Sequence, residues 1–130
     1  MILADSSAWI EYLRGTGSET NVRVRAHHET VGELALTEIV ALELYAGVRN
    51  PAEEQRVRRI VQGVPLLPTN GIEDHEYAAS LFRACRRQGE TVRKLVDCLI
   101  AAVAIRNDVP VLHHDADFDV LARYTPLRVA

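Results

Sequence analysis

Read for its apolar positions alone, the chain alternates short hydrophobic runs with longer helical patterns. Ile2 to Ala4 is apolar, and Asp5-Ser6-Ser7 then supplies helix-capping side chains ahead of Ala8 to Arg14. That order predicts a buried strand running straight into a helix. Gly15-Thr16-Gly17-Ser18 breaks the chain, Glu19 to Glu29 predicts a polar helix, and Leu34 to Leu36 predicts a second strand. Thr37 caps a helix whose stripe of Ile39, Leu42, Glu43 and Ala46 has the i, i+3, i+4, i+7 spacing expected to face inward. Asn50-Pro51 followed by Glu53 opens a helix reaching Gln62. Pro65 to Leu67 is a third strand, weakened by its bracketing prolines. Glu73 to Gln88 is a long helix closed by Gly89, and Thr91 is expected to cap the next one. Val109 to Leu112 predicts a fourth strand, a short helix follows the acidic run from Asp115, and Leu127 to Val129 is a candidate edge strand.

Short apolar strands alternating with helices define an α/β fold: a three-layer α/β/α arrangement around a mostly parallel sheet of four or five strands. No repeat, low-complexity tract or linker interrupts the 130 residues, so one domain over 1–130 is expected.

Composition adds exclusions. With 48% hydrophobic and 25% charged residues the chain reads as an ordinary soluble protein, and no apolar run approaches the ~20 residues of a membrane span. Met1 to Asp5 lacks the basic start of a signal peptide, so a cytoplasmic location is expected. In that reducing setting Cys85 and Cys98 read as packed thiols. The net charge of −3 argues against sequence-independent binding along nucleic acid, while leaving room for a local basic groove. The clusters Arg56/Arg58/Arg59 and Arg83/Arg86/Arg87 read as solvated helix faces.

The candidate chemistry lies in acids where acids do not belong. From Leu95 to Ile105 every residue is apolar or Ala except Asp97. A buried lone carboxylate needs a raised pKa, a salt bridge from Arg93 or Lys94, or a cation shared with other acids. Ligands of parallel sheets bind beyond the carboxyl ends of the strands. Asp5 follows the first strand, and Asp115 and Asp117 follow the fourth. Glu43 and Asp97 each stand six residues after their expected caps, Thr37 and Thr91, on helices that start at the same edge. That spacing puts both roughly 9 Å below the helix starts. Such a cluster repels itself and suits a hard divalent ion, Mg²⁺ or Mn²⁺, with one or two per chain. Two ions roughly 3.5–4 Å apart polarise both reacting oxygens of a phosphodiester, so the pattern points to metal-dependent phosphotransfer.

Four segments carry a resemblance: Asp5-Ser6-Ser7-Ala8-Trp9, Thr37-Glu38-Ile39 through Glu43-Leu44, Val96 to Ala102 around Asp97, and Asp115-Ala116-Asp117-Phe118. In this order they are similar to the motifs of PIN-domain nucleases, over essentially the whole chain. Its length and start look like the VapC-type toxins of bacterial toxin–antitoxin pairs. The resemblance implies a Mg²⁺- or Mn²⁺-dependent endoribonuclease toxin that cleaves structured RNA such as transfer RNA, is inhibited by a cognate antitoxin and forms homodimers. By position, Asp5, Glu43, Asp97 and Asp115 match the family's catalytic, metal-binding acids, Asp117 its fifth metal-site acid, and Ser7 a small hydroxyl beside the metal. His114 departs from the pattern, because many members carry Thr or Ser there.

Plainer readings stand beside these. Asp5 serves equally as an N-cap, and Asp115 and Asp117 as an Asx-type turn. Glu38, Asp108 and Asp119 read as surface or capping acids. His113 and His114 are adjacent and point to opposite faces on extended chain, so they are not expected to serve one ion. Trp9, Tyr12 and Leu13 share one face of the first helix, which is either core or a groove for an antitoxin helix. Arg93 and Lys94 are placed either to contact substrate phosphates or on a solvated face. Two other functional classes remain in view. An aspartyl-phosphate (receiver or dehalogenase-like) protein would want an acid at Ser7 or a lysine near the last strand, whereas the only lysine is Lys94. A non-catalytic binding module would keep the acidic pocket without the reaction.

Overall fold

The computed structural model describes residues 1–130. Strands β1 (Ile2–Ala4), β2 (Leu34–Ala35) and β3 (Val111–Leu112) form a parallel sheet in the order β2-β1-β3. Ile2 and Leu3 pair with Leu34 and Ala35, and Leu3 and Ala4 pair with Val111 and Leu112. Single parallel bridges, Leu36 to Leu66 and Val111 to Val129, extend the sheet at its two edges. The expected four or five strands are therefore three strands and two bridges. Around Leu66 the reason is local, since Pro65 and Pro68 have no N–H to continue a ladder. Leu3, Ala4, Leu34, Ala35, Val111 and Leu112 are fully buried, as strands covered on both faces must be.

Seven helices surround the sheet: α1 (Ser6–Arg14), α2 (Glu19–His28), α3 (Glu38–Ala46), α4 (Pro51–Gly63), α5 (Gly71–Arg87), α6 (Leu95–Arg106) and α7 (Ala116–Tyr124). Right-handed crossovers place α1 to α4 over one face and α5 to α7 over the other. The packing agrees, with α1 against α2 and α3, and α5 against α6 and α7. Three caps are those the sequence offers, with Asp5, Ser18 and Asn50 accepting backbone N–H groups of Ser7, Asn21 and Glu53, while Thr37 stands at the cap of α3 without a side-chain cap bond. Residues Asp97 to Ala104 of α6 are all buried, which is why that helix shows a uniform apolar run in place of a stripe.

Two expectations change. Helix α6 begins at Leu95 with Lys94 at its cap, so Asp97 lies in the first turn and not six residues down. Residues before it stay extended because the backbone N–H groups of Arg93 and Lys94 both donate to the Asp117 carboxylate at 3.1 Å, with Val92 buried beside them. On α3 the inward residues are Val40 and Leu44, while Leu42 is 64% exposed. That helix is apolar nearly all round, so period alone did not select the face.

Candidate active site

The connections of β1 and β3 leave the sheet in opposite directions, which opens a crevice beyond their carboxyl ends. Asp5 enters it directly from β1 and is 1% exposed. Its Oδ2 accepts the Ser7 N–H at 3.0 Å and the Ser7 hydroxyl at 2.6 Å, while Oδ1 is buried without a hydrogen-bond partner. One oxygen thus caps α1 and the other is left for the crevice. The Ser7 hydroxyl oxygen also accepts the backbone N–H of His114 at 2.9 Å, which ties the loop after β3 to the start of α1.

Helix α6 supplies Asp97, also 1% exposed, whose Oδ2 is buried and unpartnered. The Lys94 ammonium is 3.7 Å away, beyond hydrogen-bond reach. Burial, followed by the charge of Asp5, pushes the Asp97 carboxyl up to about 8. Lys94 instead lies 2.5 Å from Asp115, and Arg93 reaches Asp115 at 3.1 Å and Asp117 at 3.2 Å. The two cations expected to neutralise Asp97 are mostly committed to its neighbours. Burial works to raise Asp115, but the Lys94 ammonium and the Asp117 N–H outweigh it and hold that carboxyl below its usual range. The contact with Asp115 in turn raises Lys94.

Glu43 from α3 is half-buried and accepts the Ser6 hydroxyl at 3.0 Å. Burial still holds its carboxyl above the usual range, and the charge of Asp5 adds to the effect. Ser6 was not singled out in the sequence; its place in the capping run was the available signal. Asp115 is the N-cap of α7, accepting the Asp117 N–H at 2.9 Å. The Asx-type reading of that segment therefore holds alongside its place in the cluster. Asp117 is 2% exposed and has both oxygens engaged: Oδ1 by the N–H and Nε of Arg93, Oδ2 by the N–H of Lys94.

Asp97, Asp115 and Asp117 each offer an oxygen within 4.8 Å of the others. Asp5 and Glu43 border this group, close enough for the charge of Asp5 to act on Asp97 and that of Asp115 on Glu43. The donors are all carboxylate oxygens, and two buried ones, Asp5 Oδ1 and Asp97 Oδ2, have no partner. Both features fit a hard divalent cation. His113 and His114 diverge as adjacency predicts. His113 lies against Phe118 and accepts the Asp115 N–H, while His114 faces Thr20 and Glu11. Trp9 is wholly buried, edge-on to Tyr12 and His28, so the core reading holds for it and it presents no contact surface. Leu13 instead lines a cleft of about 260 Å³ between α1, α3 and α4, together with Ile10, Leu44, Val48 and Glu43.

The parallel sheet, the acids at its switch point and the sequence motifs meet in one family. Residues 2–124 match the PIN domain model, and the chain belongs to the PIN-domain family. Within it the chain groups with the VapC proteins. It is 46% identical, over its full length and 98% of theirs, to the VapC ribonuclease Mb1587 of Mycobacterium bovis and to Ribonuclease VapC11 of Mycobacterium tuberculosis. Among solved structures, VapBC2 of Rickettsia felis bound to a promoter DNA fragment superposes with a TM-score of 0.75 at 16% identity, covering 100% of this chain and 98% of that one. Mycobacterium tuberculosis VapC20, described as a sarcin–ricin loop cleaving toxin, gives 0.66 at 17% identity, covering 98% and 99%. No helix is long and apolar enough to cross a membrane.

Proposed function

We propose that this chain is the toxin half of a toxin–antitoxin pair, an endoribonuclease that uses a divalent cation to hydrolyse structured RNA, transfer RNA being the expected class. The observation that carries the reading is the pair of unpartnered buried oxygens, Asp5 Oδ1 and Asp97 Oδ2, beside an all-carboxylate cluster. Asp5, Glu43, Asp97, Asp115 and Asp117 are the acids that would hold Mg²⁺ or Mn²⁺, one or two per chain, with Asp97, Asp115 and Asp117 at the centre and Asp5 and Glu43 bordering them. When bound, the ion supplies the charge that lets Asp97 ionise and the Lewis acidity that phosphodiester hydrolysis needs. The chain's own residues orient the rest. Ser7 fixes Asp5, Ser6 fixes Glu43, and Glu43 is placed to hold or pass a proton. Asp117 holds the segment carrying Arg93, whose side chain is 70% exposed at the mouth and offers N–H groups to substrate phosphates.

Relatives named ribonuclease support RNA as the substrate, and the VapBC assemblies among the structural neighbours support an antitoxin partner. The cleft between α1, α3 and α4, where Leu13, Leu44 and Val48 sit beside Arg14, Arg49 and Arg56, is the surface we assign to that partner. Incubating the purified chain with total transfer RNA is expected to give discrete fragments with Mn²⁺ or Mg²⁺ and none with EDTA, and none from a folded Asp97→Asn variant. Full activity of that variant, or in excess EDTA, would overturn the reading.

A further inference from the structure

On the far side of Arg93 from the acids, an open groove runs between α5 and the segment leading into α6. Phe82, Arg83 and Arg86 line one wall, and Thr91, Arg93 and Leu95 the other. No acidic side chain lines it. Arg83 and Arg86 lie one turn apart on α5 and neither enters an ion pair, in a chain whose net charge is −3. The Arg86 guanidinium stacks over the Phe82 ring at 5.7 Å, which leaves its N–H edge free. Leu95 is 61% exposed, so an apolar surface lies between the cations. Arg93 belongs to both places, since it reaches Asp115 and Asp117 with Nη2 and Nε while its exposed side keeps further donors.

Unpaired guanidiniums interleaved with an aromatic ring and an aliphatic side chain match a single-stranded polynucleotide, which offers phosphates and unstacked bases together. A duplex keeps its bases stacked away and has no use for Phe82 or Leu95. We propose that this groove binds the single-stranded stretch of RNA adjoining the scissile phosphate. Arg83 and Arg86 take backbone phosphates, Phe82 and Leu95 take a base, and Arg93 passes the strand to the acids. The assignment rests on the RNA-cleaving reading above and extends it to a second set of residues, so its test reads binding without cleavage.

In EDTA, with the Asp97→Asn chain as background, fluorescence anisotropy of a labelled unstructured RNA oligonucleotide measures affinity directly. The Arg83→Glu/Arg86→Glu pair is expected to weaken binding at least about tenfold and to reduce the slope of log affinity against log salt by roughly 1.4, about 0.7 per lost phosphate contact. Phe82→Ala should weaken binding several-fold with the slope unchanged, and duplex RNA should bind more weakly than the single strand. Arg59→Glu on α4 is the control for reversing a surface charge outside the groove, compared with Arg83→Glu alone, and should leave binding near the parent value. All four side chains are at least partly exposed, and matching thermal unfolding curves establish that the folds are intact. Unchanged RNA affinity in the double variant, or a loss from Arg59→Glu equal to that from Arg83→Glu alone, would overturn the groove. So would a double variant whose defect is lost self-association with RNA affinity intact, since the face would then be an interface between copies. Failure of the wild-type chain to cleave any RNA would overturn the function reading and leave this measurement standing.

Discussion

Asp97 concentrates the conflict between folding and function in one side chain. Its burial among α6 core residues raises its carboxyl from 3.8 to about 8. A carboxyl raised on folding binds a proton that the unfolded chain has released. Its favourable contribution is therefore complete below about pH 4, declines between 4 and 8, and is gone above that. In EDTA, taking the wild-type chain from pH 5 to pH 8 is expected to lower its urea-unfolding free energy by roughly 2–4 kcal/mol more than the same change in Asp97→Asn. Superimposable pH profiles for the two proteins would refute the assignment. That the acid was out of place was legible in the sequence, because every neighbour from Leu95 to Ile105 is apolar or Ala. Which compensator it uses was not. Arg93 and Lys94 precede it in the chain, yet their contacts are dominated by Asp115 and Asp117, some twenty residues further on.

Elements whose caps are local were readable to within a residue or two, as Asp5, Ser18 and Asn50 illustrate. The start of α6 was misplaced because its anchor is not local: Asp117, from α7, accepts the N–H groups of Arg93 and Lys94 and keeps that segment out of the helix. This makes Asp117 a positioning residue with a measurable effect in the absence of any ion. Asp117→Ala leaves two backbone donors and the Arg93 side chain without their acceptor and is expected to cost about 2–4 kcal/mol in EDTA. Amide exchange at Arg93 and Lys94 should accelerate at least about tenfold, since ~1.4 kcal/mol of lost local protection already gives that factor. Asp117→Asn, which keeps one acceptor oxygen, should lose about half as much. If exchange at those two amides is unchanged while stability falls elsewhere, Asp117 does not anchor the segment. The face of α3 was missed for a different reason: with Ile39, Val40, Leu42 and Leu44 all apolar, burial of Val40 and Leu44 was decided by where α1 and α4 pack.

At the scale of the whole molecule, the order β2-β1-β3 creates one crevice, and four separated segments deliver acids to it. The parallel α/β architecture was legible from strand and helix alternation, whereas the strand order was not, because local pattern does not say which strands pair. The arginine groove was not, since it depends on α5 lying beside the segment that Asp117 holds open. In the proposed site, stability and ion binding would be coupled through the same carboxylates. Mn²⁺ or Mg²⁺ at a hundred times its dissociation constant should stabilise the wild-type fold by about 2.7 kcal/mol, seen as an upward shift in thermal midpoint that EDTA reverses. With the ion concentration fixed at the value that gives this ratio at pH 8, the shift should be small at pH 6, where Asp97 holds its proton, and should grow as pH approaches 8, by up to about tenfold in affinity per unit while one proton is displaced for each ion bound. Asp97→Asn removes both that proton and a ligand, so its midpoint should respond weakly to either ion and show no such pH dependence. Calorimetry in two buffers of different ionisation enthalpy counts the released proton independently. An ion-induced shift of equal size in both proteins at every pH would place the cation elsewhere and detach the burial of Asp97 from the proposed chemistry.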